Sequence, residues 1–250
     1  MSKSHHAKIP ANYQHPQDKT VFHARSLSDI ALAFQYAARA VIIDTPVPDF
    51  VAIAAHEDSQ RFGSGHRRLE VEGRTDFSMA RRLRNAGISH EVIAHVFTQA
   101  EALYAAIHPD YQKRKFLEQR RFGLTTVEGK PNWHIDDAGT PCNVYIQPLL
   151  GAGTRLATYE AEMAFGVQNL SNFVMGKDRK AAAVLAAEAA LGPTAIEVKP
   201  GQSLLLNLAH GLFPPPVQQA IHAAPHDDMI GHTSPHRLAV VIDIPASLRR

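Results

Sequence analysis

Cysteine is almost absent from this 250-residue chain. A single thiol, Cys142, excludes an internal disulfide and any multi-thiolate metal centre. It follows Pro141 and reads as a small buried hydrophobe in preference to a catalytic thiol, because no Cys-His pairing is legible around it. Long apolar runs are missing too: no stretch reaches 18 residues, which argues against a membrane-spanning helix. The opening MSKSHHAKIPANYQHPQDK has no apolar segment of the secretory kind, so a cytoplasmic protein is expected. Charge of one sign is lacking as well. With 26 basic and 24 acidic residues the net is +2, too small to imply nucleic acid or an anionic membrane as partner. The short basic runs at Arg81-Arg82, Lys113 to Lys115 and Arg120-Arg121 lack interleaved aromatics and read as solvated helix faces. What is present, 45% hydrophobic residues over this length, suffices for a substantial core.

Residues 1–24 are polar, carry Pro10 and Pro16, and read as a flexible lead-in to one domain over 25–250. That domain divides into helical support, 25–118, and a strand-rich core, 119–250. SLSDIALAFQYAA offers Ser26 or Ser28 as a cap before apolar positions at helical spacing. A short strand is expected at Val41 to Ile43 and helices near Phe50 to Ala55, Asp76 to Asn85 and Ser89 to Ile107. Near Arg120 the pattern changes to strands. RRFGLTTVEGKPNWHIDD suggests two strands about a turn at Glu128-Gly129, and NVYIQPLL and RLATYE flank GAGT as a hairpin would. An alanine-rich helix over Asp178 to Leu191 stops at Gly192-Pro193. AIEV, a turn at Lys199-Pro200-Gly201, SLLLNL, VQQAIHAA and RLAVVIDI complete the strands. The whole predicts an α+β fold in which helices cover one side of a rolled sheet.

The chemistry concentrates in Trp133-His134-Ile135-Asp136. Residues two apart on a strand project from one face, so His134 and Asp136 present an imidazole and a carboxylate side by side. A histidine from a distant strand completes the two-histidine, one-carboxylate set of non-heme iron oxygenases, which leaves positions open for oxygen and a co-ligand. His-X-Asp by itself is equally the pattern of a surface hydrogen-bonded pair. Its context matters: His222 lies in the apolar run VQQAIHAA, and His210, His226, His232 and His236 surround it in sequence. His222 is the favoured third ligand and His210 the next choice. Arg237 opens the last strand, where its guanidinium can grip a carboxylate through two parallel bonds. The alternative is an arginine paired internally with Asp227 or Asp243.

WHID, NVYIQPLLGAGTRLATY, VKPGQSLLLN, AIHAAP and HRLAVVID, in this order and spacing, resemble the double-stranded β-helix of Fe(II)- and 2-oxoglutarate-dependent oxygenases over roughly residues 120–245. More narrowly the chain looks like the DUF1826 family. The resemblance implies a jelly-roll or cupin-like core, with His134, Asp136 and His222 as metal ligands. It further implies Arg237 on the far carboxylate of 2-oxoglutarate and Tyr145 as a strand residue helping to hold that co-substrate. The activity implied is a hydroxylase-type oxidation of a small-molecule or peptide substrate, with decarboxylation of 2-oxoglutarate to succinate. Trp133 then packs in the core or walls the pocket, and Thr154 and Arg155 line its mouth. The chain departs from the superfamily at Ala239, where Ser or Thr is common, and from the narrower family at Ala223-Ala224-Pro225. Rival readings are a cupin-like metal enzyme that does not use 2-oxoglutarate, a non-enzymatic zinc-handling protein, and an interaction domain with no occupied site. The segment between Gly166 and Lys177 is where a substrate lid could sit.

Overall fold

The structure is a computed structural model that describes residues 8–36, 38–62, 67–73, 76–107, 120–126, 133–134, 142–166, 181–208, 220–223 and 237–245. It is a mixed α+β fold. Eleven strands are described: β1 (Gln14–His15), β2 (Asp18–Ala24), β3 (Ala40–Asp44), β4 (Arg67–Gly73), β5 (Arg120–Thr126), β6 (Cys142–Leu150), β7 (Arg155–Leu156), β8 (Ile196–Glu197), β9 (Gln202–Leu208), β10 (His222–Ala223) and β11 (Leu238–Pro245). Eight form one sheet in the order β1-β2-β3-β9-β6-β11-β5-β4, antiparallel except for the parallel pair β2–β3. The remaining three make a small antiparallel sheet, β10-β7-β8.

Alternation along the strands sorts the core into two sides. Phe22, Val41, Ile43, Tyr145, Leu205, Val240 and Ile242 face the helices α1 (Ile30–Ala33), α2 (Asp49–Phe62), α3 (Asp76–Asn85) and α4 (His90–Ile107). Their neighbours Val21, Ile42, Val144, Ile146, Leu204, Leu206 and Ala239 face the small sheet, where they meet Leu156, Ile196, Val198 and Ala220. The large sheet is therefore buried on both faces, which is why its central strands are nearly continuous runs of branched aliphatics. Two further helices, α5 (Tyr159–Phe165) and α6 (Ala181–Leu191), cover the outer side of the small sheet through Ala157, Ala187, Leu191, Ile221 and Ala223.

The expected helix at Ser89 begins at His90, with Ser89 as its cap: the Val92 N–H donates to Ser89 Oγ at 3.4 Å. The buried Asp58 carboxylate in turn accepts from the Ser89 N–H and hydroxyl, both at 2.9 Å. Removing a buried acceptor of two bonds strands both donors, so Asp58→Ala is expected to cost about 2 kcal/mol in chemical denaturation.

Three expectations are corrected. Residues up to 24 are not all a loose lead-in, because β1 and β2 lie in the large sheet with Val21, Phe22 and Ala24 fully buried. DKTVFHA shows no clear alternation because both faces of the sheet are covered here, Phe22 and Ala24 packing on one side and Val21 on the other. The helix expected from Ser26 is a 3-10 turn, Leu27–Asp29, and one turn of α-helix, because the chain must reverse to enter β3. GAGT is not a hairpin turn. β6 pairs with β9 and β11 while β7 pairs with β8 and β10, so the glycines carry the chain from one sheet to the other. Gly153 makes that crossing possible: a Cβ there would lie 1.7 Å from the Val198 carbonyl oxygen. Gly153→Ala drives a methyl into the Val198 carbonyl, prising apart the β7–β8 end of the small sheet, and is expected to destabilise by about 1–3 kcal/mol, read from the urea midpoint. The second strand expected after Glu128-Gly129, and the segment between Gly166 and Lys177, fall mostly outside the described residues.

Candidate metal centre

His134 and His222, 88 positions apart in sequence, face each other across an isolated antiparallel bridge. The His134 N–H donates to the His222 carbonyl at 2.9 Å and the His222 N–H returns the bond at 3.0 Å. A directly opposed pair of this kind holds its side chains on one face at close range. The imidazole centroids are 4.4 Å apart with the rings inclined at 48°. Two imidazoles bound at about 2.1 Å to one metal in adjacent positions bring their centroids to roughly 4.5 Å, so the spacing fits a shared ion. The side of the small sheet on which they stand follows from their neighbours. Ala220, two residues before His222, belongs to the core between the sheets, as does Leu156, the cross-strand partner of His222. Ile221 and Ala223 point outward to α5 and α6. His222 therefore projects inward, 3% exposed. With its proton on Nδ1 the ring donates to the Ala220 carbonyl at 3.4 Å, and the lone pair that a metal requires is then on Nε2. Among the described residues no third His, Cys, Asp or Glu completes a metal-binding group with them. Asp136, His210, His226, His232 and His236 lie outside those residues.

Arg237 enters the same space. It directly precedes β11, sharing parity with Ala239 on the face turned toward the small sheet, and it is 5% exposed. Its Nη2 donates to Thr154 Oγ1 at 2.9 Å, while the buried Nε has no hydrogen-bond partner among the described residues. No described carboxylate pairs with it, whereas Asp227 and the Asp243 side chain fall outside the described residues. Burial pulls its pKa down to about 10, so the guanidinium stays charged at neutral pH in a place where charge is costly. The site thus has a buried cation adjoined by a hydroxyl, an arrangement that suits an anion.

Other residues singled out in the sequence are placed elsewhere. Tyr145 lies on the helix-facing side of β6, opposite to Arg237, and is not brought together with the two histidines. Its hydroxyl donates to Gln99 Oε1 at 3.4 Å, and burial pushes its pKa up to about 12. Arg155 faces away from the inter-sheet core and is held by Glu188 through two bonds of 3.0 and 2.8 Å. Trp133 is buried beneath it, with the guanidinium carbon 4.9 Å from the ring centroid and the indole N–H donating to Glu188 at 2.8 Å. This knot ties the strand carrying His134 to α6. Only Thr154 of the expected pocket-lining pair touches a site residue, Arg237.

The sequence reading missed a buried ionic chain next to the histidines. Arg39, just before β3, pairs with Asp18 at 3.0 Å and with Glu162 of α5, and it also donates to Thr20 Oγ1 and the Ala157 carbonyl. Burial raises the Glu162 pKa against the opposing pull of Arg39 and of the Ile221 N–H. For Asp18 burial acts upward too, but hydrogen bonds from Thr20 and the Tyr159 N–H, with Arg39 beyond them, leave its pKa lowered. The one sequence signal was a second acid, Glu162, on the apolar face of YEAEMAF, where solvent exposure would ordinarily be assumed.

No family model matches the chain, so the resemblance to DUF1826 rests on the quoted motifs alone. No curated protein matches it either. Among solved structures it is similar to a Pseudomonas putida prolyl-4-hydroxylase, at 11% identity and TM-score 0.45 over 88% of this chain and 97% of that one. A second is the Arabidopsis thaliana dioxygenase for auxin oxidation in its 2-oxoglutarate complex, at 7% identity and TM-score 0.45 over 90% and 91%. A third is a full-length Neurospora crassa protein in complex with alpha-KG, at 9% identity and TM-score 0.42 over 88% and 77%. Among the described residues no helix is long and apolar enough to cross a membrane.

Proposed function

We propose that this chain is a non-heme Fe(II)- and 2-oxoglutarate-dependent oxygenase on a double-stranded β-helix, oxidising a small-molecule or peptide substrate. The reading is carried by the inward-facing pair His134 and His222 in the inter-sheet space that also receives Arg237, a buried cation with no described counter-ion. In this reading His134 and His222 hold the iron together with Asp136, two positions along from His134 and the carboxylate of the set. When bound, iron and 2-oxoglutarate supply the oxidising power, coupling oxygen activation to decarboxylation of the co-substrate.

The chain's own residues bind and orient. The two backbone bonds between His134 and His222 fix the imidazoles relative to each other before any ligand arrives. Arg237, steadied by Thr154, takes the far carboxylate of 2-oxoglutarate and so sets the direction from which the other end reaches the metal. Leu156, Ile196, Val198 and Ala239 keep the space around these groups dry. Tyr145, bonded to Gln99 on the other face of the sheet, has no part in this arrangement.

Anaerobic titration of metal-free protein with Fe(II), then with 2-oxoglutarate, tests the proposal through the visible charge-transfer absorption of the chelate. The band is expected in the wild type and absent from Asp136→Ala. Fe(II) binding with no band on adding 2-oxoglutarate leaves a metal enzyme of another kind. Zinc binding without iron binding replaces the oxygenase by a metal-handling protein.

A further inference from the structure

The main chain of His222 is bonded on one side to His134 and its strand pairs with β7 on the other. How the chain enters that strand depends also on what holds the residue before it. The Ile221 carbonyl continues the ladder by accepting from the Ala157 N–H at 2.9 Å, and its N–H donates to Glu162 Oε1 of α5 at 3.0 Å. That carboxylate is wholly buried, where an acid is costly. A neutral side chain or a backbone turn could satisfy one N–H far more cheaply.

The rest of the carboxylate explains its rigidity. Its Oε2 pairs with Arg39, whose guanidinium is itself fixed by Asp18, Thr20 and the Ala157 carbonyl, and lies 5.5 Å from the centre of the Tyr159 ring. Asp18 Oδ2 also accepts from the Tyr159 N–H at 2.7 Å, in the first turn of α5. A continuous set of charge-assisted bonds thus runs from β2 through Arg39 to the residue preceding His222. Charge-assisted bonds are shorter and stronger than neutral ones, and here the buried ion pair between Arg39 Nη1 and Glu162 Oε2 joins the two bonded ends of the network.

We propose that Glu162 is a positioning residue for the metal ligand His222: its buried carboxylate, held by Arg39, clamps the Ile221 N–H and so aims the His222 imidazole at the position it shares with His134. This rests on the metal reading above, but it assigns a role that none of the ligands themselves performs. Partners that orient a ligand typically change metal affinity 10- to 100-fold when lost.

Co(II) serves as the probe, its visible spectrum reporting both affinity and ligand geometry. Glu162→Asp keeps the charge for Arg39 but is one methylene too short to reach both Arg39 and the Ile221 N–H. Glu162→Gln keeps the length and the acceptor oxygen. Co(II) affinity is expected to fall roughly tenfold or more in Glu162→Asp, with an altered spectrum and faster amide hydrogen exchange at Ile221 and His222. Glu162→Gln, which keeps the acceptor for the Ile221 N–H but loses the ion pair with Arg39, is expected to lie between Glu162→Asp and wild type in both exchange and affinity. A purely structural role lowers the melting temperature of the aspartate variant while leaving spectrum and affinity of the folded protein unchanged, and that result overturns the proposal. Equal weakening in both variants overturns it too. Wild type that binds no Co(II) overturns the metal reading itself, an outcome distinct from wild-type binding that Glu162→Asp leaves intact.

Discussion

His222→Ala and His134→Ala are each expected to abolish Fe(II) binding while the protein remains folded. The bridge joining the two strands consists of main-chain bonds, His134 N–H to His222 carbonyl and the reverse, and neither depends on a side chain. An alanine at either position therefore keeps the pairing and removes one imidazole from a pair whose centroids lie 4.4 Å apart. The loss in affinity is expected to exceed the roughly 10- to 100-fold that follows removal of an outer-shell partner, because a ligand itself is lost. Isothermal titration with Fe(II) under anaerobic conditions reads it directly. The stability cost is expected to be modest, about 1–3 kcal/mol for the cavity at the buried His222 and less at the half-buried His134. Wild-type iron affinity in either variant removes these two residues from the site. The pair also separates metal binding from a stacked core contact: a structural pair loses stability on truncation and has no metal-dependent signal to lose.

His134 is marked in the sequence by the His-X-Asp pattern of WHID and His222 by the apolar run VQQAIHAA around it, and the structure brings the two imidazoles together. Helices with a cap and a long apolar stripe are equally legible, as Ser89 and the stripe through Val92, Val96 and Leu103 show. Legibility ends where partner choice is set by tertiary contact. GAGT reads as a hairpin because glycine marks a turn, yet the turn's direction depends on the approach of Gly153 to Val198, 45 residues later. RLATYE reads as strand throughout, but Thr158 caps a helix, its hydroxyl accepting from the Ala161 N–H with Glu160 and Glu162 in the first turn. That signal is present and is outweighed by the strand pattern before it. Tyr145 carries the right residue type on the wrong parity: Val144 and Ile146 face the site, and Tyr145 faces α4. The Asp18–Arg39–Glu162 chain leaves no signal beyond Glu162 on an apolar helix face, since it joins three segments with no common spacing and its other members look like ordinary surface charges.

Arg237→Met is expected to abolish 2-oxoglutarate binding and, in the ligand-free protein, to preserve or raise stability. These opposite effects follow from one observation. The guanidinium is buried, and among the described residues it is bonded only to Thr154 Oγ1 and its Nε has no partner. Burial lowers its pKa to about 10, so the charged form is disfavoured in the folded state. The sign follows by linkage. The unfolded chain holds this proton more tightly than the folded one, so the charge costs stability across the whole neutral range. Methionine matches the length of the stem without the charge, and replacing poorly compensated buried charge by an apolar side chain is neutral or stabilising by about 1–4 kcal/mol. In the proposed reading a dicarboxylate supplies the counter-charge that no described residue provides. With iron present, 2-oxoglutarate at about 100 times its Kd is expected to stabilise wild type by roughly 2.7 kcal/mol and the methionine variant not at all. Arg237→Lys, which keeps the charge but not the two parallel donors, is expected to fall between them. Thermal unfolding with and without the co-substrate gives all three comparisons in one experiment. Equal ligand-induced shifts in wild type and Arg237→Met sink the carboxylate assignment. A large loss of ligand-free stability in the methionine variant shows instead that Arg237 is paired internally, as the alternative with Asp227 or Asp243 requires.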